Sequence, residues 1–404
     1  MNRLVPPYIL LDRQINRQGR VGGTIPNTPR LNISVIVVQT MLLQETTCRK
    51  MSETTYPLRF CVLELTNRCN LHCPHCASDS GCSRGDELSR DELRKVFRDL
   101  TELGCRTISM LGGEILLRPD WFGICQDARN AGMDLQIITN GLLVDDEVRR
   151  KFLELKPQTV AVSLDGASRE TYMKQRGIDG YDRCMRLLHR LYEDGHRQVS
   201  AITTFSSLNI HEFDDFANLF VDTGIVWQVQ LVHKAGHRFD DRLLLNHDRY
   251  AYFADKVRYW MNEYNDRLKL RHMDDFGYFA ITPELRFTHQ VWDGCPAGRR
   301  VIGIRSNGDV LGCLSLGDDF VEANLRKIPL TEIWQSDSCF SPFRHKENLL
   351  CGHCAKCPFS RICRAGCTAM AISGSGTPGD NPYCVRRLEE ERILADLFGD
   401  ETDG

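Results

Sequence analysis

Residues 69–76 read Cys-Asn-Leu-His-Cys-Pro-His-Cys, so Cys69, Cys73 and Cys76 form a C-x3-C-x2-C run on one short segment. Three thiolates at this spacing can wrap one iron–sulfur cube, whereas a [4Fe–4S] cluster normally takes four. The iron left without a thiolate is then open to a small molecule, beside a cluster that can deliver an electron. Two plainer readings use the same residues. One is a zinc site completed by His72 or His75, the other a trio of buried thiols that bind nothing.

A second group lies towards the C-terminus: Cys295, Cys313, Cys351, Cys354, Cys357, Cys363, Cys367 and Cys384. Its centre, C-x2-C-x5-C-x3-C from Cys354 to Cys367, points to thiolate–metal chemistry. Such pairs also build zinc ribbons, and these thiols would serve two structural zincs as well. Between Cys295 and Cys313, the segment 302–313 contains Asn307-Gly308, which predicts a β-hairpin. Cys48, Cys61, Cys82, Cys105, Cys125, Cys184 and Cys339 belong to neither group and are expected as free, mainly buried thiols.

These side chains need a scaffold. From 58 to 232, apolar runs alternate with amphipathic stretches, the pattern of repeated β–α units. Strands are predicted at 58–65, 106–111, 133–139, 158–164, 198–204 and 226–232, with helices at 91–100, 119–131, 145–155, 180–194 and 211–222. Ser89 caps the first helix, whose Leu93, Val96, Phe97 and Leu100 fall on one face. Parallel β–α units assemble a ligand site from the loops at their C-terminal strand ends. The 69–76 segment, Gly112-Gly113-Glu114, Thr139-Asn140-Gly141 and Ser163-Leu164-Asp165-Gly166 all fall at such ends. Residues 235–290 read as a surface connector, mostly helical around 248–265, with an acidic–aromatic run at 274–278.

Taken in order, CNLHCPHC, GGE, TNG and SLDG resemble the radical S-adenosylmethionine (SAM) superfamily over about residues 58–232. His75 stands where that family is often aromatic, and Ile115 where it usually has Pro. The resemblance implies an α/β fold, a partial (β/α)6 TIM-like barrel. It also implies that Cys69, Cys73 and Cys76 carry a [4Fe–4S] cluster that binds SAM at the open iron. Reduction there would yield methionine and a 5′-deoxyadenosyl radical that takes hydrogen from carbon. By the same resemblance, Glu114 accepts from the SAM ammonium, while Gly112 and Gly113 allow close backbone approach. Asn140, Ser163 and Asp165 are further SAM contacts. Arg176 either pairs the SAM carboxylate or stands in a surface salt bridge.

The C-terminal pattern resembles the SPASM domain, a small cysteine-rich iron–sulfur module of radical SAM enzymes that modify peptides and proteins. This implies a distal auxiliary [4Fe–4S] cluster on Cys354, Cys357, Cys363 and Cys384, and a proximal one on Cys295, Cys313 and Cys367. The fourth proximal ligand is left open between Cys351 and substrate. The leading functional expectation is maturation of a ribosomally made precursor peptide by crosslink, thioether or related oxidation. Its partners would be a flavodoxin- or ferredoxin-type reductant and a separate leader-binding protein. A small-molecule dehydrogenase or tetrapyrrole side-chain oxidase is the alternative. A sulfatase maturase fits less well, since Leu314 stands where that group carries an acidic residue. A zinc-bearing binding protein is the non-enzyme alternative.

In a chain of 404 residues, 18 cysteines in metal-type spacing call for a reducing compartment, which for this protein is expected to be the cytoplasm. With 51 Lys+Arg against 54 Asp+Glu, the formal charge of −3 gives no electrostatic footprint for nucleic acid or an anionic membrane. The expected organisation is a leader or upstream mis-start at 1–50, a barrel at 51–234, a bridge at 235–290, the SPASM module at 291–390 and a tail at 391–404. Residues 1–50 are rich in Pro and Arg and poorly periodic, and their apolar run at 33–38 is too short to span a bilayer. A chain beginning at Met51 is therefore expected to match the full chain in solubility and in SAM cleavage. A large fall in thermal stability on truncation would show instead that residues 1–50 pack on the core.

Overall fold

A computed structural model of the protein describes residues 56–273, 279–282 and 292–398. The expected leader, the run at 274–278 and the last residues of the tail lie outside that set.

All six predicted strands form: β1 (Phe60–Glu64), β2 (Thr107–Leu111), β3 (Asp134–Thr139), β4 (Thr159–Ser163), β5 (Val199–Phe205) and β6 (Val226–Leu231). They pair in parallel in chain order, each crossover made by helix, so their C-terminal ends share one edge. The first crossover helix, Arg90–Glu102, has a Ser89–Glu92 capping box and buries Leu93, Val96, Phe97 and Leu100 as its periodicity requires. At the far side of the sheet, Phe205, Phe213, Phe216, Phe220, Trp227 and Phe253 are each at most 1% exposed. Stacked and edge-on contacts join these rings and fix β5 and β6 against their helices.

Two elements depart from the sequence reading. The bridge is not a surface connector. Its helix His247–Glu263 buries Tyr250, Phe253, Val257 and Trp260, and β7 (Lys269–His272) then joins β6 as a further parallel strand. A helix at Arg169–Arg176, capped by Ser168 and closed by Gly177 in a left-handed conformation, lies where no element was assigned. Residues 391–398 of the expected tail continue the helix Val385–Phe398.

The Asn307-Gly308 hairpin forms between β8 (Val301–Ile304) and β9 (Asp309–Leu311), with Gly308 at φ +89°. Its position was not foreseen. β8 pairs in parallel with β1, and β10 (Val321–Asn324) completes one sheet in the order β10-β9-β8-β1-β2-β3-β4-β5-β6-β7. The partial barrel and the cysteine-rich module therefore share a single sheet.

Glu64 fastens that junction. The carboxylate is 1% exposed and accepts from Arg84 Nε at 2.6 Å and Nη2 at 2.9 Å. Its Oε1 also accepts from the hairpin's Ser306 Oγ at 2.9 Å. Removing one partner of a buried pair leaves the other charge uncompensated, at a cost of about 3 kcal/mol. Glu64→Ala is accordingly expected to lower stability by that amount in denaturant titration. Hydrogen exchange should also speed up at both Arg84 and the 305–308 turn, whereas faster exchange at only one of them would mean that Glu64 does not join the two.

Candidate functional site

The 69–76 loop leaves β1 and is held at its base by Cys69 N donating to Gly81 O at 3.2 Å. A Cβ at Gly81 would lie 2.8 Å from the exposed His72 ring, which would have to shift to admit it. Arg238 clamps the loop from the segment after β6. Its Nε reaches Asp79 Oδ1 at 2.7 Å, its Nη1 lies 2.9 Å from His72 Nδ1, and it also donates to Ser80 O. His72 is thus engaged by a guanidinium rather than turned towards the thiols. Burial pushes the Cys69 thiol up to about 11, and the charges of Glu114, Cys73 and Cys76 add to that. Burial also raises Cys73, opposed by Arg176. The thiols are close enough to repel one another as thiolates, and metal binding must displace their protons.

The other strand-end residues gather around the same loop, though not all as expected. A cavity of about 220 Å³ is lined by Cys69, Cys73, Cys76, Gly112, Gly113, Asn140, Ser163 and Arg176, together with His75 and His233. Gly112 and Gly113 do permit close approach, but of their own chain: added Cβ atoms would lie 2.2 Å from Thr66 O and 2.3 Å from Arg68 O. Glu114 is 1% exposed and is not among the residues lining the cavity. Its carboxylate accepts from Thr139 Oγ1 at 2.9 Å and Asn140 N at 2.7 Å, tying the GGE turn to the TNG turn. Asn140 Nδ2 in turn donates to Asn70 Oδ1 at 2.8 Å, linking β3 to the cysteine loop.

Asp165 is fully buried behind the cavity wall. Its Oδ2 lies 3.0 Å from His75 Nε2 and 2.6 Å from Arg176 Nη2, and its Oδ1 accepts from Thr204 N at 2.7 Å. Burial alone would raise its pKa, but the Arg176 charge and the His75 bond outweigh that and hold the carboxyl at about 2. Arg176 lines the cavity, and its ion pair is largely withdrawn from the surface rather than displayed on it. It pairs with Asp165, and its Nη1 lies 3.8 Å from Cys73 Sγ. His75, read in the sequence as a departure from the family and as a possible zinc ligand, forms part of this cluster.

Thr204, Gln230 and His233 also line the cavity, from the ends of β5 and β6. The strand-end rule that located the earlier loops points to them as well, but no motif marks them. Three buried nitrogens around this wall, His75 Nδ1, Arg176 Nε and His233 Nε2, have no hydrogen-bond partner among the described residues. Such atoms suit a polar ligand better than a finished core.

Among the C-terminal cysteines, one quartet is mutually close. Cys354 and Cys357 both act on Cys363, Cys363 and Cys357 act on Cys384, and Cys384 acts on Cys354. Burial pushes Cys354 and Cys384 up to about 12 and Cys363 to about 11. Cys295 is buried, and Cys313 and Cys367 are half-buried against the core. Cys351 is exposed, its Sγ 3.9 Å from Thr377 Oγ1. Leu314 packs over Gly303 of β8, where a Cβ would lie 3.0 Å from it. No group of three His, Cys, Asp or Glu among the described residues is drawn in to single-ion distance. A zinc would hold its thiolates about 2.3 Å from one centre, whereas a cube takes each on a different iron. The donor set, thiols alone, suits a cube.

Comparison with known proteins agrees with this geometry. Residues 63–220 match the family model for the radical SAM superfamily, and residues 295–358 match that for the SPASM iron–sulfur cluster-binding domain. The mycofactocin maturase MftC of Mycolicibacterium smegmatis is 28% identical, covering 84% of this chain and 87% of that protein. The AdoMet-dependent heme synthase of Methanosarcina barkeri is 30% identical, covering 81% of this chain and 97% of that protein. Among solved structures, Streptococcus suis SuiB bound to precursor peptide SuiA superposes with a TM-score of 0.68 at 18% identity, covering 89% of this chain and 83% of that one. The chain belongs to the radical SAM superfamily: it is an enzyme that uses SAM and [4Fe–4S] clusters and carries a C-terminal SPASM domain.

Proposed function

We propose that this enzyme matures a peptide, and that the two cysteine groups divide the work. Cys69, Cys73 and Cys76 hold the cluster that takes SAM. Cys354, Cys357, Cys363 and Cys384 hold a closed auxiliary cluster, and Cys295, Cys313 and Cys367 a second with a position for exchange. Exposed Cys351 lies at the surface, which favours an exchangeable position over a fourth protein thiolate. When bound and reduced, the first cluster supplies the electron that cleaves SAM to methionine and a 5′-deoxyadenosyl radical. The protein's part is to position the reactants and to exclude water.

Asp165 does much of that positioning. It holds Arg176 beside Cys73 and leaves the Arg176 Nε for the SAM carboxylate, while His75, fixed through Nε2, offers Nδ1 to the adenosyl group. Asn140, Ser163 and the Gly112–Gly113 backbone complete the wall. Glu114 acts at one remove, by fixing the Asn140 turn.

The single observation that carries the peptide reading is the maturase match, which spans both cysteine modules over 84% of this chain. The heme synthase match, at 30% identity and 97% of that protein, supports a second reading with a tetrapyrrole substrate. In the peptide reading, electrons come from a flavodoxin- or ferredoxin-type donor, and a separate protein presents the leader. No helix among the described residues is long and apolar enough to cross a membrane, and the thiol chemistry calls for a reducing compartment, which we take to be the cytoplasm.

Anaerobically reconstituted protein is expected to carry about 12 irons per chain, three cubes of four. Replacing Cys69, Cys73 and Cys76 together with Ala should remove about one third of that iron and all SAM cleavage. Cleavage retained in this variant would sink the assignment. A short precursor peptide encoded beside the gene should raise 5′-deoxyadenosine formation and return a product lacking hydrogen by mass spectrometry. Turnover on tetrapyrroles but on no peptide would decide for the second reading.

Asp165→Asn leaves Arg176 and His75 without their carboxylate and is expected to cost about 3–5 kcal/mol of stability. SAM affinity, followed by equilibrium binding, should fall with it. Unchanged SAM binding would show that the cluster of charges supports the fold alone.

A further inference from the structure

Lys346 sits where the two auxiliary cysteine sets meet. It begins the short turn Lys346–Leu349, is 1% exposed, and its Nζ donates to Gly366 O at 3.0 Å. That carbonyl belongs to the loop between Cys363 and Cys367. Cys363 of the distal set and Cys367 of the proximal set flank it, and thiolates at Cys295, Cys367, Cys363 and Cys354, drawn from both sets, would favour the Lys346 ammonium. Burial disfavours its ammonium, and those sulfurs are what oppose the penalty.

Neighbouring cations are treated differently. Arg299 and Arg300 pair with Asp293, and Arg364 lies 3.7 Å from Glu347. Lys346 has no carboxylate within 4.0 Å among the described residues. An ammonium taken out of water without a counter-ion is costly. A thiolate-ligated cube is the missing counter-ion, since it carries net negative charge that grows by one unit on reduction.

Resting on the reading that these cysteines hold clusters, we propose that Lys346 is the shared counter-charge of both auxiliary clusters. It favours their reduced forms and so holds both potentials above what the thiolates alone would set. Lys346 is a positioning residue in electrostatic terms. It touches no reacting atom.

The test is a redox titration, followed by electron paramagnetic resonance, on the full-length reconstituted enzyme without substrate. Lys346→Met and Lys346→Gln are compared with Lys346→Arg. Both neutral variants should keep their iron and show about a tenfold fall in the reduced-to-oxidised ratio at fixed potential, or about 59 mV for one electron. The cluster at Cys69, Cys73 and Cys76 should not shift, and Lys346→Arg should stay near the parent. Fully loaded neutral variants with unshifted auxiliary potentials overturn the proposal, as does Lys346→Arg shifting as far as Lys346→Met. Should the neutral variants fail to load the C-terminal sites while Lys346→Arg loads them, the charge is needed for assembly and the proposal stands. Failure of all three to load would make the side chain structural and end it. Parent enzyme holding only about four irons would instead sink the auxiliary-cluster reading itself.

Discussion

A carboxylate removed from water must find donors, and along the C-terminal edge of this sheet the donors lie on neighbouring loops. Glu64, the last residue of β1, gathers Arg84 and Ser306. Glu114, after β2, gathers Thr139 and Asn140. Asp165, after β4, gathers His75, Arg176 and Thr204. Glu212, after β5, takes Ala167 N, Ser168 and Thr171. Each acid is worth little as an isolated attraction, yet each is costly to leave unmatched, so every loop is bound to the next by the same penalty. Three unmatched nitrogens face a cavity in the midst of this network.

This network also explains which parts of the molecule were legible in sequence. Period-two apolar runs and capped amphipathic helices report burial directly, so β1 to β6, the helix at Arg90–Glu102 and the Asn307-Gly308 hairpin could be read residue by residue. Lys269–His272 could not, because a four-residue strand alternating Lys, Leu, Arg and His carries almost no apolar signal. Helix Arg169–Arg176 was missed for a related reason: it is short and polar, and tertiary bonds from Glu212 fix its start. Its Ser168 cap and Gly177 stop were nevertheless present in the sequence. The candidate site divides along the same line. Spacing locates the cysteines, but nothing in the order of residues says that Glu114 faces Thr139 or that Arg176 faces Asp165. Those orientations are choices between partners that only folding brings together.

The two cysteine modules differ in how they meet charge. Around Cys69, Cys73 and Cys76 the protein sets a guanidinium against one thiol and buffers it with Asp165, leaving part of the wall unsatisfied for SAM. Around the C-terminal sets it buries an ammonium with no carboxylate beside it among the described residues. On the proposed reading, one environment would receive a ligand repeatedly and the other would keep its charge balance only when loaded. That contrast suits a module whose clusters stay in place while substrates come and go.

The hairpin on β1 has a consequence for how the protein is made. Ser306 and Glu64 are 242 residues apart in sequence, and β8 pairs with the strand that leads into the first cysteine loop. At ribosomal speeds of about 5–20 residues per second, that edge of β1 waits some 12–50 s after its own synthesis for its partner to emerge. During that interval the loop bearing Cys69, Cys73 and Cys76 lacks its clasp at Ser306, and the nascent chain displays an unpaired strand edge. The same delay that exposes the chain to misassembly also gives iron–sulfur donors their widest access, before the last module closes the sheet.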